Sequence, residues 1–168
     1  WKPDENNRII DMGLYVYDTY TGEDRFLAEG SCPDISPDDR YVMYSAAQSD
    51  GLHQICRIPL VGGRRQVMTS FTKEDEIYNP YYLQYSPDGK WILFYAAFRD
   101  YKDTSGYYRD PETPYHGLCM METDTRDVYM QAPDTNELIR SYARWSPDGT
   151  MVAFSTKAGE HDALHIKK

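Results

Sequence analysis

The residues best placed to do metal chemistry form a repeated spacing: His53-Gln54-Ile55-Cys56 and His116-Gly117-Leu118-Cys119. A third histidine, His161, sits one residue off the same register further along. Three imidazoles gathered on one face would suit a borderline divalent metal. The competing reading is that an internal repeat puts similar side chains at similar positions for packing alone. A second group of side chains suits recognition. The stretch from Phe98 to His116 holds Tyr101, Tyr107, Tyr108 and Tyr115 together with Asp103, Arg109, Asp110 and His116. Tyrosine offers a large contact area with a polar tip and few rotors to freeze, and Pro111 and Pro114 restrict the backbone. Asp38, Asp88 and Asp148 have the chemistry of general acids, but each follows a proline in a turn sequence that accounts for it fully.

Several chemistries are excluded. No G-x-S-x-G nucleophile elbow occurs, and neither do the glycine patterns of phosphate or dinucleotide loops. Gly62-Gly63 reads as a hairpin turn. The three cysteines, Cys32, Cys56 and Cys119, include no C-x-x-C pair, which removes the usual zinc-knuckle and haem-attachment spacings. The formal charge is −9, with 18 Lys+Arg against 27 Asp+Glu, so no basic stripe is available to displace phosphate counterions and nucleic acid is not an expected partner. The longest apolar run, Trp91 to Phe98, is far shorter than the roughly 20 residues that cross a bilayer, and no transmembrane segment is expected. Residue 1 is Trp and no basic stretch precedes an apolar one, so any targeting segment is expected to lie outside this chain.

The elements that position these residues follow from a repeat. A Ser/Lys-Pro-Asp block preceded by a large apolar residue recurs at Trp1-Lys2-Pro3-Asp4, Ile35-Ser36-Pro37-Asp38, Tyr85-Ser86-Pro87-Asp88 and Trp145-Ser146-Pro147-Asp148. Pro presets one corner of a turn, Asp bonds its own backbone, and the Gly that follows in the last two copies accepts positive φ. Each block is therefore a strand reversal leading into an apolar strand: Tyr41 to Tyr44, Trp91 to Phe94, Met151 to Phe154. A third strand follows at Leu14–Tyr17, Ile55–Ile58, Leu118–Met121 and Leu164–Ile166, and a fourth near Arg25–Leu27, Gln66–Met68 and Val128–Met130. Four strands per unit make a propeller blade, and the proline intervals of 34, 50 and 60 residues bracket the usual blade length of ~40–45. Strands sandwiched between blades are buried on both faces, which explains the unbroken apolarity of Trp91 to Phe98. Helix is expected nowhere except for one turn within Pro133 to Tyr142.

These blocks resemble the TolB-type β-propeller repeat, a relative of the WD repeats. Trp145-Ser146-Pro147-Asp148-Gly149 followed by Met151-Val152-Ala153-Phe154-Ser155 is close to the family pattern, and the first copy departs from it at Lys2 and Glu5. The expected fold is all-β: about four four-stranded blades of a larger propeller, over 1–29, 30–72, 73–131 and an incomplete 132–168. The first and last blades are each expected to lack one strand, with the rest of the ring supplied elsewhere, other chains included. Short Ser-Pro-Asp and Gly-Gly-type turns should share one rim. The other rim should collect the long connections: Ser49 to His53, Lys73 to Tyr82, Phe98 to His116, Pro133 to Tyr142 and Lys157 to Asp162.

The resemblance implies a bacterial, periplasmic or secreted binding or scaffold module, without a required cofactor, that recognises protein or glycan through this rim, or a subunit of a larger extracytoplasmic assembly. It implies as the alternative the propeller of a metal-dependent polysaccharide lyase, with His53, His116 and His161 as ligands, or a propeller gating a serine peptidase. Cys56 and Cys119, on third strands of different blades, are expected to be buried free thiols, and Cys32 a core residue.

Overall fold

The computed structural model describes residues 12–75, 77–98, 115–131, 138–139, 143–158 and 161–167. Among these there is no helix, and fourteen strands form four antiparallel sheets in succession along the chain. The first sheet pairs β1 (Gly13–Tyr17) with β2 (Asp24–Glu29). The second runs in order through β3 (Ser31–Ile35), β4 (Tyr41–Ala47), β5 (His53–Pro59) and β6 (Gln66–Val67). The third repeats that order with β7 (Ile77–Tyr85), β8 (Trp91–Phe98), β9 (Tyr115–Glu122) and β10 (Val128–Gln131).

In the fourth sheet, β11 (Leu138–Ile139) and β12 (Arg144–Trp145) pair with different segments of β13 (Val152–Ala158). β14 (His161–Lys167) pairs with β13 along its whole length. β11 and β12 therefore share one edge as a single interrupted first strand. Leu138–Ile139 is strand where the sequence suggested a helical turn; the rest of that stretch up to residue 142 lies outside the described residues, as do Trp1 to Asp11.

Three clusters of side chains fill the spaces between successive sheets. Leu14 and Leu27 of the first sheet meet Val42, Tyr44, Cys56 and Ile58 of the second. Met43, Ile55 and Met68, from the opposite face of that second sheet, meet Ile92, Phe94, Cys119 and Met121 of the third. Leu93, Tyr95 and Leu118 then meet Ala143, Val152 and Phe154 of the fourth. Alternate residues of one strand thus serve two interfaces, as a two-residue side-chain period requires, and β8 is buried from Ile92 to Phe98.

The Ser-Pro-Asp block owes its repetition to a closed set of hydrogen bonds. The Ser86 hydroxyl donates to Asp88 Oδ1 at 2.7 Å and accepts from the Trp91 amide at 2.9 Å, while the Lys90 amide donates to the same carboxylate at 3.1 Å. Ser36 with Asp38, Arg40 and Tyr41, and Ser146 with Asp148, Thr150 and Met151, repeat the pattern. Backbone bonds from Gly89 and Gly149 to Ser86 and Ser146 close each turn at 2.9 Å. These glycines adopt φ of 72° and 70°, and Asp39 holds the same place at 56°. A Cβ on Gly89 would lie 3.6 Å from Pro37, and one on Gly149 would lie 3.4 Å from Pro87, so each turn also packs against the proline of the turn before it.

Candidate functional site

Antiparallel order divides the connections between two rims. The three Ser-Pro-Asp turns and the β1–β2, β5–β6 and β9–β10 turns lie on one. On the other, Ala47 is opposite His53, Phe98 opposite Tyr115 and Ala158 opposite His161. The chain therefore leaves this rim after Ala47, Phe98 and Ala158 and returns to it at His53, Tyr115 and His161, and β6 and β7 are joined across it.

The turn rim is electrostatically settled. The carboxyls of Asp38, Asp88 and Asp148 are all held below the usual carboxylate range, foremost by the hydrogen bond from the Ser two residues earlier. That arrangement keeps them ionised and is the opposite of what a general acid needs. It is a turn lock.

On the loop rim, the register of the three histidines is as their spacing suggested. His53 faces Ala47 and His116 faces Ala97, whereas His161 faces Ala158 and is offset by one position. The His53 imidazole is half-buried, with Nδ1 3.2 Å from the Ser45 hydroxyl of its own sheet, and the His53 amide donates to Asn79 Oδ1 at 3.1 Å. Among the described residues, no three His, Cys, Asp or Glu side chains gather closely enough to hold a metal. The side chains of His116 and His161 lie outside those described. Tyr115 and His116 open strand β9 at the rim. Tyr101, Asp103, Tyr107, Tyr108, Arg109 and Asp110 lie outside the described residues.

All three cysteines are free thiols. Burial pushes the Cys119 thiol up to about 12 and raises that of Cys56, which leaves both protonated and inert. Cys32 is half-buried and sits at φ 55°, so it borders the core instead of lying within it. Tyr82, equally four residues before its Ser, has φ 50°. Both lie where the ladder of the first strand slips register, so a β-bulge recurs there in successive sheets.

Polar ties between connections and sheets are the features that sequence reasoning missed. Gln54, 4% exposed, accepts from Thr69 Oγ1 and the Phe71 amide and donates to the Phe71 carbonyl, with all three bonds between 2.7 and 2.9 Å. Thr69 Oγ1 in turn accepts from the Ile55 amide. The β6–β7 connection is thereby pinned to β5. First strands are stitched across sheets as well: the Tyr85 amide donates to Asp34 Oδ2 at 2.7 Å, and the Trp145 amide to Gln84 Oε1 at 3.3 Å. Asp34 and Gln84 both stand two residues before the turn Ser, a correspondence visible by laying the copies side by side. Tyr81 and Tyr82, expected in a rim loop, belong to β7 and stack with Tyr95 at centroid distances of 5.8 and 6.4 Å.

Between the second and third sheets runs a groove of about 730 Å³ with a mixed lining, apolar at Met68, Phe71, Ile77 and Val128 and polar at Thr69, Thr72, Asp75 and Arg126. No helix among the described residues is long and apolar enough to cross a membrane.

Successive antiparallel sheets packed face to face, the last three each turning between first and second strand through the same Ser-Pro-Asp block, define a β-propeller. No protein-family model matches the sequence, and no curated protein sequence matches it significantly. The structure does find counterparts. A putative TolB from Agrobacterium tumefaciens aligns with a TM-score of 0.59 at 17% identity, over 92% of this chain and 52% of that one. The acylaminoacyl peptidase of Pyrococcus horikoshii aligns with a TM-score of 0.61 at 12% identity, over 93% of this chain and 26% of that one. An oligogalacturonate lyase from Vibrio parahaemolyticus gives 0.53 at 15% identity, over 86% and 39%. The fold is a partial TolB-like β-propeller, and the chain spans between about a quarter and about half of these proteins' lengths. At such identities the likeness concerns the fold alone.

Proposed function

We propose that this chain is a non-catalytic recognition module that binds protein or glycan through its loop rim, in an extracytoplasmic setting. The observation that carries the reading is the asymmetry of the two rims. One is made of short turns whose polar groups are already satisfied by each other. The other receives the connections that vary in length from sheet to sheet, including the tyrosine-rich stretch between Phe98 and Tyr115, on a scaffold anchored by the Gln54 and Asn79 ties. Variable loops on a rigid frame are where folds place recognition. The test replaces Thr104 to Pro114 by a short Gly-containing turn and probes parent and variant on arrays of defined glycans and peptides. The variant is expected to keep its thermal transition and lose every ligand that the parent binds. A folded variant with unchanged binding overturns the reading.

A second reading, the propeller of a metal-dependent lyase, draws support from the shared register of His53 and His116 and from the fold likeness to the oligogalacturonate lyase. It requires one metal per chain that disappears in His116→Ala, measured by metal content after dialysis. Gating of a peptidase, the third use of this fold, would need a catalytic domain, and the sequence of this chain contains no nucleophile elbow.

A further inference from the structure

We propose that the groove between the second and third sheets binds a small amphipathic monocarboxylate, one carboxylate joined to a compact apolar body. Both sheets have four strands and each packs against a further sheet on its other side, so the groove belongs to the interior of the array. It follows a difference in length between the fourth strands: β6 ends after two residues, whereas β10 runs for four. Beyond Met68 the chain is held by side chains instead of a ladder. Gln54 fixes Thr69 and Phe71, and the Thr72 amide donates to Asp75 Oδ2 at 2.6 Å. One wall is therefore set before any ligand arrives, which lowers the cost of binding. The volume of about 730 Å³ is that of a small-ligand site.

The lining defines the ligand. Met68 is 3% exposed, while Phe71, Ile77 and Val128 pack on the same core cluster yet stay half-buried, so an apolar body laid over them completes their burial. The charges on the walls are unequally engaged. Asp75 is already bonded within its own turn. Arg126 donates its amide to the Glu122 carbonyl, but its guanidinium has no hydrogen bond or ion pair among the described residues. The Glu122 carboxylate accepts from the Thr125 hydroxyl instead. By contrast, Arg25, Arg40, Arg57, Arg65 and Arg144 each hold a partner. Ser70, also on the lining, has its amide and hydroxyl unbonded among the described residues and adds neutral donors. One free guanidinium meets one carboxylate in a planar, two-bonded pair. A dianion such as phosphate would face the Asp75 carboxylate and a net charge of −9 with a single cation to offset them.

The test titrates the isotope-labelled whole chain with three probes of one shape, phenylpropanoate, phenylpropanol and phenylpropylammonium, and follows the amide signals by nuclear magnetic resonance. Phenylpropanoate is expected to shift the signals of Met68 to Thr72, Ile77, Arg126 and Val128. It should bind about tenfold or more tightly than the alcohol, the effect of one charge-assisted pair. Arg126→Gln should bring the acid down to the affinity of the alcohol with an unchanged thermal transition, because the guanidinium holds no other group. Arg126→Lys should restore part of the preference. The groove includes none of the tyrosine-rich stretch, so the variant with Thr104 to Pro114 replaced should bind phenylpropanoate as the parent does, and the loop-rim reading and this one fail separately. Equal affinity for the acid and the alcohol overturns the proposal. So does tighter binding of the ammonium compound, an absence of shifts at the groove, or a preference for the acid that survives Arg126→Gln.

Discussion

Replacing Ser86 by Ala removes a single hydroxyl that is 1% exposed and holds the turn between β7 and β8 in two directions. Its bond to Asp88 is charge-assisted, a class that contributes about 1.5–3 kcal/mol, and its loss also leaves the Trp91 amide without a partner at a cost of about 1–3 kcal/mol. The two are not additive, because Asp88 is exposed and turns to water. The expected loss is about 2–4 kcal/mol, which for a domain of this size lowers the melting temperature by roughly 4–16 °C. Ser146→Ala should cost less, because Ser146 is only half-buried and its bond to Asp148 is open to solvent.

Urea unfolding at neutral pH, read by circular dichroism, gives both numbers. The pH profile supplies an independent readout. Asp88 is held below its ordinary value chiefly by the Ser86 hydroxyl, so its contribution is present above the unfolded value of 3.8 and is lost as the pH falls through the lower folded value. In Ser86→Ala that displacement shrinks, and the fall in stability below pH 3.8 should be shallower than in the parent. A Ser86→Ala variant within about 0.5 kcal/mol of the parent, or one with an unchanged acid limb, would refute the argument that this hydroxyl closes the turn.

Other substitutions test neighbouring parts of the frame. Asp39→Gly removes the side chain from a left-handed residue at φ 56° and should leave stability unchanged or slightly raised in the same urea assay. Asp34→Ala strands the Tyr85 amide and should cost about 1–3 kcal/mol, whereas Asp34→Asn keeps an acceptor there. Desolvation raises the Asp34 carboxyl, so its ionisation opposes folding at neutral pH; Asp34→Asn should be at least as stable as the parent there, and its advantage should vanish as the pH falls below 3.8. Gly30→Ala would set a Cβ 2.6 Å from the Ser45 carbonyl oxygen at a φ of 150°, and a loss of at least about 2 kcal/mol in thermal melts is expected.

The repeat was legible because each turn needs its own chemistry. Pro, Asp and a residue tolerant of positive φ stand together in the chain, and the strands after them are apolar because both their faces are covered. The cross-sheet ties were not legible, because their partners lie far apart in the chain and belong to no local pattern. Asp34 acts on Tyr85, and Asn79 on His53. β7 shows a second way in which local signals mislead. Asn79 and Pro80 read as loop residues, yet Pro80 is fully buried within the strand because the ladder slips between Tyr78 and Tyr81 and does not require its missing amide. Likewise, Ile35 and Tyr85 hold the same place before the turn, yet one is 50% exposed and the other 7%. The difference is set by what each sheet packs against, which no local pattern contains.

Hydrogen exchange of the whole chain, with and without the tightest-binding compound from the glycan and peptide arrays, tests the role of the loop rim most directly. Protection confined to 48–52, 99–114 and 159–160, with the turns at 36–40, 86–90 and 146–150 unchanged, is the predicted result. Protection centred on the Ser-Pro-Asp turns would contradict it, and so would a parent protein that binds nothing on either array.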